Sequence, residues 1–199
     1  MRFMRSVIVV TAAAAVTLVP AAALADGSSH TDATGDVQSV PITGTANVPV
    51  GTPATPEPTM HNGDISSVHA TNSARKVKVV LHFADLQPTG EYHVHEAYIA
   101  TKGADRVAVV TAGPGNWGGK ANLFTPKFKK VRCTVRRHID YTHHTVVIKV
   151  PASCLGHPKV VKVGAATVVN QDSKFFFDDG YKIGGGFRDP FALSPKIHR

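Results

Sequence analysis

Between Met60 and Arg199, apolar and polar residues alternate in short runs and almost never recur at helical spacing. Lys76 to Phe83 is the clearest run. Val77, Val79, Leu81 and Phe83 fall on one side, and Lys76, Lys78, Val80 and His82 on the other, because consecutive strand residues point to opposite faces. Asp64 to His69, Tyr92 to Thr101, Arg106 to Thr111, Asn122 to Pro126 and Lys159 to Val169 read as further strands. Turn-forming groups stand between them: Asn72-Ser73, Gln87-Pro88-Thr89-Gly90 and Lys102-Gly103-Ala104-Asp105. Gly113 to Gly119 reads as a glycine-rich loop. Short strands at a spacing of about eight to twelve residues predict an all-β fold, an antiparallel β-sandwich of jelly-roll or Ig-like type. Three consecutive rings, Phe175, Phe176 and Phe177, cannot share one face of a strand. Two are expected to pack and the third to cap the other sheet or stay exposed. Phe187, Phe191, Leu193 and Ile197 are expected to pin the tail.

The two cysteines refine this picture. A hairpin of Val131 to Tyr141 and Thr145 to Cys154, turning at His143 and His144, would oppose Tyr141 to Val146, Ile139 to Ile148, Arg137 to Val150 and Val135 to Ala152. Cys133 then falls opposite Cys154, within the Cα separation that a disulfide requires. Face pattern and cysteine spacing select the same register, so a cross-strand disulfide is expected. Pro151 cannot donate to a central ladder, which predicts an edge or a bulge there.

The chain divides into three parts. Residues 1–25 have the form of a signal peptide: Arg2 and Arg5, an apolar run from Val7 to Val19, then Ala23-Leu24-Ala25 before Asp26. The run is shorter than the ~20 residues that a bilayer-spanning helix needs. The expectation is therefore a secreted protein with no membrane span after cleavage. Residues 26–60 read as a flexible, low-complexity acidic linker. Asp26, Asp32, Asp36 and Glu57 sit in it without a single Lys or Arg, and Pro53, Pro56 and Pro58 stiffen its end. Its alternative is a strand-forming extension through Val37 to Ile42 and Val48 to Val50. Residues 61–199 form the expected sandwich domain. Apart from Arg2 and Arg5, every cation of a chain with net charge +8 lies there. Such an excess suits anionic partners or simple solubility.

Several constellations could carry chemistry. His93-Val94-His95 places two imidazoles on one strand face about 7 Å apart, a geometry that a zinc-like metal could use, with His82 as a third ligand. No Glu follows at the spacing of a cupin site, since Ile99 and Ala100 stand there and Glu96 points the other way. The other reading is a polar, solvated face. Lys127, Lys129, Lys130, Arg132, Arg136 and Arg137 form the basic concentration, and Trp117 offers an indole for stacking on a sugar ring. Together they are the candidate ligand-binding face; the alternatives are a solvated sheet face and an indole that anchors its loop. Asp178 and Asp179, with Asp64 if the sandwich ends meet, could hold calcium; Asp179-Gly180 is otherwise turn chemistry. Gly113-Pro114-Gly115-Asn116-Trp117-Gly118 fits the dinucleotide fingerprint only formally, because a strand and not a helix follows. No nucleophile elbow and no zinc-protease helix motif is present.

One resemblance covers most of residues 63–199. Gly63-Asp64-Ile65, Lys76 to Leu86, Ile139-Asp140-Tyr141, Val146 to Val150 followed by Pro151-Ala152-Ser153-Cys154-Leu155-Gly156, Pro158 to Val163 and Leu193-Ser194-Pro195-Lys196-Ile197 resemble a group of small exported actinobacterial proteins. Those share a signal peptide, an all-β domain and a VPxxCLG segment near the C-terminus. The resemblance implies fold and export and no chemistry. Gly63-Asp64-Ile65 and the strand pattern are also similar to jelly-roll carbohydrate-binding modules. The expectation is a non-catalytic binding or envelope-associated protein without an obligatory cofactor. Its partner would be an anionic polysaccharide or cell-wall polymer, with nucleic acid disfavoured. Metal binding at His93 and His95 and a structural interaction module are the alternatives.

Overall fold

β-Branched residues separated by turns fold into two antiparallel sheets packed face to face. The computed structural model describes residues 26–42, 52–184 and 190–199. The expected signal peptide, Val48 to Val50 and Phe187 lie outside the described residues. One sheet has five strands in the order β1 (Asp26–Thr31), β4 (Ile65–Asn72), β5 (Lys76–Phe83), β11 (Thr145–Pro151), β10 (Arg136–Asp140). The other runs β3 (Thr55–Pro56), β2 (Gln38–Pro41), β13 (Lys174–Asp179), β12 (Val160–Gln171), β6 (Tyr92–Ala100), β7 (Arg106–Gly113), β8 (Asn116–Phe124), β9 (Lys130–Val131), and β14 (Ile197–His198) pairs with β12. A 3-10 turn, Ala152–Leu155, is the one helical element among the described residues.

The core lies between the sheets. Val68, Ala70, Val77, Val79, Leu81, Val146, Ile148 and Val150 meet Ala97, Ile99, Ala108, Val110, Leu123, Val161, Val163 and Ala165, all essentially excluded from solvent. Each buried Val, Leu or Ile contributes about 1.5–3 kcal/mol of transfer free energy. Alternation therefore fixes which face of every central strand turns inward.

The N-terminal linker is a correction to the sequence reading. Residues 26–31 pair along β4, and residues 38–41 pair along β13, with Phe175 opposite Val40. The strand-forming alternative through Val37 to Ile42 is the one found. The cause lies in the partner strand. β13 carries its three phenylalanines on both faces. Phe176 packs with Val37 and Val169 on one face, and Phe175 and Phe177 with Val40 on the other. All three rings are buried, where one could have been left exposed. Covering them offsets the ordering entropy of a segment poor in apolar residues.

The hairpin is also corrected, in register. Ile139 faces Val146 and Arg137 faces Ile148, a shift that keeps every side chain on its expected face. Asp140 sets the turn: its Oδ1 accepts the N–H groups of Thr142 and His143, both at 3.0 Å. Cys133 and Cys154 are bonded, with Cα atoms 6.1 Å apart. They do not sit in the ladder, however. Cys133 lies in the irregular stretch between β9 and β10, and Cys154 in the 3-10 turn. Pro151 explains the departure. It is the last residue of β11 and has no N–H to extend the ladder toward β10, and the chain turns directly into the 3-10 turn Ala152–Leu155. Gly113 to Gly119 differs too: only a tight turn at Pro114-Gly115 is irregular, and Asn116 onward is strand.

Candidate functional site

The outer face of the five-stranded sheet is built from the positions that alternation turns away from the core. On β5 these are Lys76, Lys78, Val80 and His82; on β11, Val147, Lys149 and Pro151; on β10, Arg136 and His138. Register then aligns cations across strands. Arg136 stands opposite Lys149, and Lys149 opposite Lys78, so three positive side chains form one row with strands about 4.8 Å apart. Beside it, Pro151 pairs with Lys76. Arg75, Lys76, Arg136, Lys149 and Pro151 line a cleft of about 450 Å³. Among the described residues, none of Arg75, Lys76, Lys78, Arg136 and Lys149 forms an ion pair with a carboxylate. Like charges directly opposed on neighbouring strands destabilise a sheet. Asp140, the acid at the far end of the face, is engaged by His143, whose Nδ1 lies 2.8 Å from its Oδ2. That contact holds the Asp140 carboxyl below its ordinary value.

The basic residues singled out from sequence divide around this face. Arg136 belongs to it. Lys127, Lys129, Lys130 and Arg132 are exposed on the far edge of the other sheet, at β9 and its flanking loops. Arg137 points the opposite way from Arg136 and is held by structure: its Nε and a terminal nitrogen donate to the Gly119 carbonyl at 2.9 and 2.6 Å. Gly119 has φ +74, and an added Cβ would come within 3.0 Å of Val110, so glycine is required where Arg137 docks. Lys76, Lys78, Lys149 and Arg75 were missed as site residues. The alternation of β5 already placed Lys76 and Lys78 outward; what was absent was the pairing of β5 with β11 that sets Lys149 opposite Lys78, and the hairpin register that sets Arg136 opposite Lys149.

Trp117 does not join the basic residues. It lies at the start of β8, whereas β9 pairs with Leu123 and Phe124 near its end, about 20 Å further along the strand. The ring is half-buried, edge-on to His93 at 5.2 Å and to Tyr141 at 6.3 Å between centroids. Tyr141 Oη donates to the Trp117 carbonyl at 3.0 Å. The indole thus anchors one end of the sandwich.

His93 and His95 are both fully buried, which overturns the solvated-face reading of this pair. His93 Nε2 lies 2.8 Å from the Thr89 carbonyl, which can only accept, so the ring carries its proton there. His95 Nδ1 lies 2.9 Å from Thr167 Oγ1. Their other nitrogens, His93 Nδ1 and His95 Nε2, have no hydrogen-bond partner. Burial lowers the pKa of His93 and takes that of His95 down to about 3, with the nearby His93 adding to the effect. The rings pack edge-on, 5.9 Å apart, with Phe83 5.5 Å from His95. His82 is not a third ligand, because it lies on the exposed side of β5 in the opposite sheet. The sequence reading failed here by treating β5 and β6 as neighbours, when they belong to different sheets.

The acidic residues converge on one rim of the sandwich, with a membership different from the expected one. Asp64 and Asp178 are buried there together with Asp32 of the N-terminal segment, and Asp36, half-exposed, joins them. Burial first, and then the neighbouring carboxylates, push Asp178 up to about 8 and Asp32 to about 7, and raise Asp64 as well. Asp179 alternates away from the rim; its oxygens accept the N–H groups of Tyr181 and Ala192. Asp32 and Asp36 were missed because the segment that carries them read as a linker.

Compared with known proteins, the chain matches no family model, no curated protein and no solved structure. Among the described residues no helix is long and apolar enough to cross a membrane.

Proposed function

We propose that this chain is an exported, non-catalytic binding protein, and that the outer face of its five-stranded sheet takes a linear polyanion of the cell envelope. The observation that carries this reading is the transverse row Arg136, Lys149 and Lys78 beside the cleft of Arg75 and Lys76. A sheet gains nothing in stability from opposing three cations. A chain of phosphodiesters or uronates laid across the strands would neutralise them together, and each contact would release condensed counterions. The disulfide supports the exported setting, since disulfides persist in oxidising compartments. Among the described residues no Asp or Glu pairs with these cations, which keeps their side chains available for ligand.

The test is retention of the purified protein on immobilised polygalacturonate and on immobilised polyphosphate, across a salt gradient. Retention should fall steeply with salt. Lys78→Gln with Lys149→Gln should weaken binding at least tenfold and flatten the salt dependence. A control carrying Lys127→Gln, Lys129→Gln and Lys130→Gln should bind nearly as the parent does. Equal retention of the Lys78/Lys149 variant would remove the proposal, and tighter retention on duplex DNA than on either polymer would reassign the partner.

A further inference from the structure

The acidic rim joins segments far apart in sequence. Asp32 and Asp36 come from the connection between β1 and β2, Asp64 immediately precedes β4, and Asp178 is on the inward face of β13. One carboxylate oxygen each from Asp32, Asp36 and Asp178 lies within 4.8 Å of the other two. Backbone N–H groups occupy only part of the available oxygens. Asp32 Oδ1 accepts from Ala33 at 3.0 Å, Asp64 Oδ2 from Gly35 at 2.8 Å, Asp36 Oδ2 from Gly184 at 3.2 Å and Asp178 Oδ2 from Ile65 at 2.7 Å. Asp32 Oδ2, Asp36 Oδ1 and Asp64 Oδ1 are buried with no hydrogen-bond partner among the described residues. Asp32 is only 7% exposed and Asp64 0%. Among the described residues, His61 is the one basic side chain within ion-pair distance of these carboxylates, its Nδ1 3.8 Å from Asp64 Oδ2.

Unpartnered buried carboxylate oxygens are among the most costly groups a protein can hold. Here they belong to the same carboxylates that converge. We propose that this rim is a calcium site, formed by Asp32, Asp36 and Asp178 with Asp64 beside them, which fastens the N-terminal segment to the sandwich. The donor chemistry selects the ion. All the donors are oxygen, which disfavours zinc and copper, whose sites draw on His and Cys. Several carboxylates together suit calcium, which takes six to eight oxygens in flexible geometry. Magnesium prefers one or two carboxylates and keeps its water. The two strands that flank the Asp32–Asp36 connection pair with different sheets, β1 with β4 and β2 with β13. One ion at this point therefore ties both layers together.

This inference is independent of the anionic partner proposed above, and its failure would leave that reading intact. The protein is stripped with chelator and titrated with calcium chloride in a calorimeter, with magnesium and zinc chlorides in parallel. One calcium per chain is expected, with Tm raised by about 5 °C or more at calcium 100-fold above its dissociation constant. Asp36→Asn alters a half-exposed residue whose amide oxygen can still accept the Gly184 N–H. It should fold like the parent and bind calcium at least tenfold more weakly. Asp172→Asn, on an exposed turn, should leave binding unchanged. The proposal is overturned by silence toward millimolar calcium, by a response to zinc alone, or by an undiminished calcium response in Asp36→Asn.

Discussion

His95 shows what one residue contributes and what it costs. Its ring sits in the core against Phe83 and His93, and its Nδ1 meets the Thr167 hydroxyl, which also lies 3.3 Å from the Val94 carbonyl. Burial holds its folded pKa at about 3, whereas in the unfolded chain the imidazole titrates at its ordinary 6.5. Between those values the unfolded chain binds a proton that the folded protein refuses. The stability linked to His95 is therefore complete above pH 6.5 and is lost as pH falls toward 3. A His95→Phe variant removes that linkage. Its Tm difference from the parent should move in the variant's favour as pH drops from 7 to 4.5, a comparison in which the titration of the acidic rim subtracts out. Parallel Tm curves for the two proteins over that range would contradict the buried, neutral imidazole. His93-Val94-His95 was visible as a pair in the sequence. Its burial was not, because alternation places two residues on one face without saying whether that face is core or solvent.

At the scale of the element, β5, β11 and β10 explain both the gain and the limit of reading alternation. The bounds of β5 at Lys76 and Phe83 follow from pattern alone. The β10–β11 hairpin was expected with the right faces and the wrong pairing, because a slip that preserves faces is invisible to hydrophobicity and is settled by the Asp140 turn. The cysteine spacing could not correct it, since Pro151 releases the chain from the ladder before Cys154 is reached. Two expectations belong here. Lys149→Gln, at the centre of the cationic row, should raise stability by about 0.2–1 kcal/mol by relieving like-charge opposition, while polyanion retention falls. A gain in denaturant midpoint together with a loss of binding would mark the row as a functional liability of the sheet; a loss of both would point to a packing role for Lys149. Cys133→Ala with Cys154→Ala opens a loop defined by a sequence separation of 21 residues. It should cost about 3 kcal/mol in the chain-entropy account, read from chemical denaturation of the oxidised parent and the variant.

For the whole molecule, the N-terminal segment is where composition misled most. Thirty-odd residues rich in Gly, Ser, Thr and Pro have too little apolar surface to fold alone, which made a tether the natural expectation. Composition, however, describes only what a segment brings, not what waits for it. Here β4 and β13 offer open edges, and β13 offers three phenylalanines whose cover is completed by Val37 and Val40. The same segment delivers Asp32 and Asp36 to the rim, so the fold and the proposed ion site depend on one docking event. Hydrogen exchange on the intact protein distinguishes a docked segment from a tether residue by residue. The Asp32 N–H donates to Ser66, the Ile42 N–H to Ser173 and the Glu57 N–H to Val37, at 3.0, 2.9 and 2.8 Å. In the docked arrangement these amides exchange far more slowly than an unstructured chain, and they slow further when calcium is added. Exchange of all three at the unstructured rate, with β12 and β6 still protected, would return the segment to a tether and leave the sandwich to stand without it.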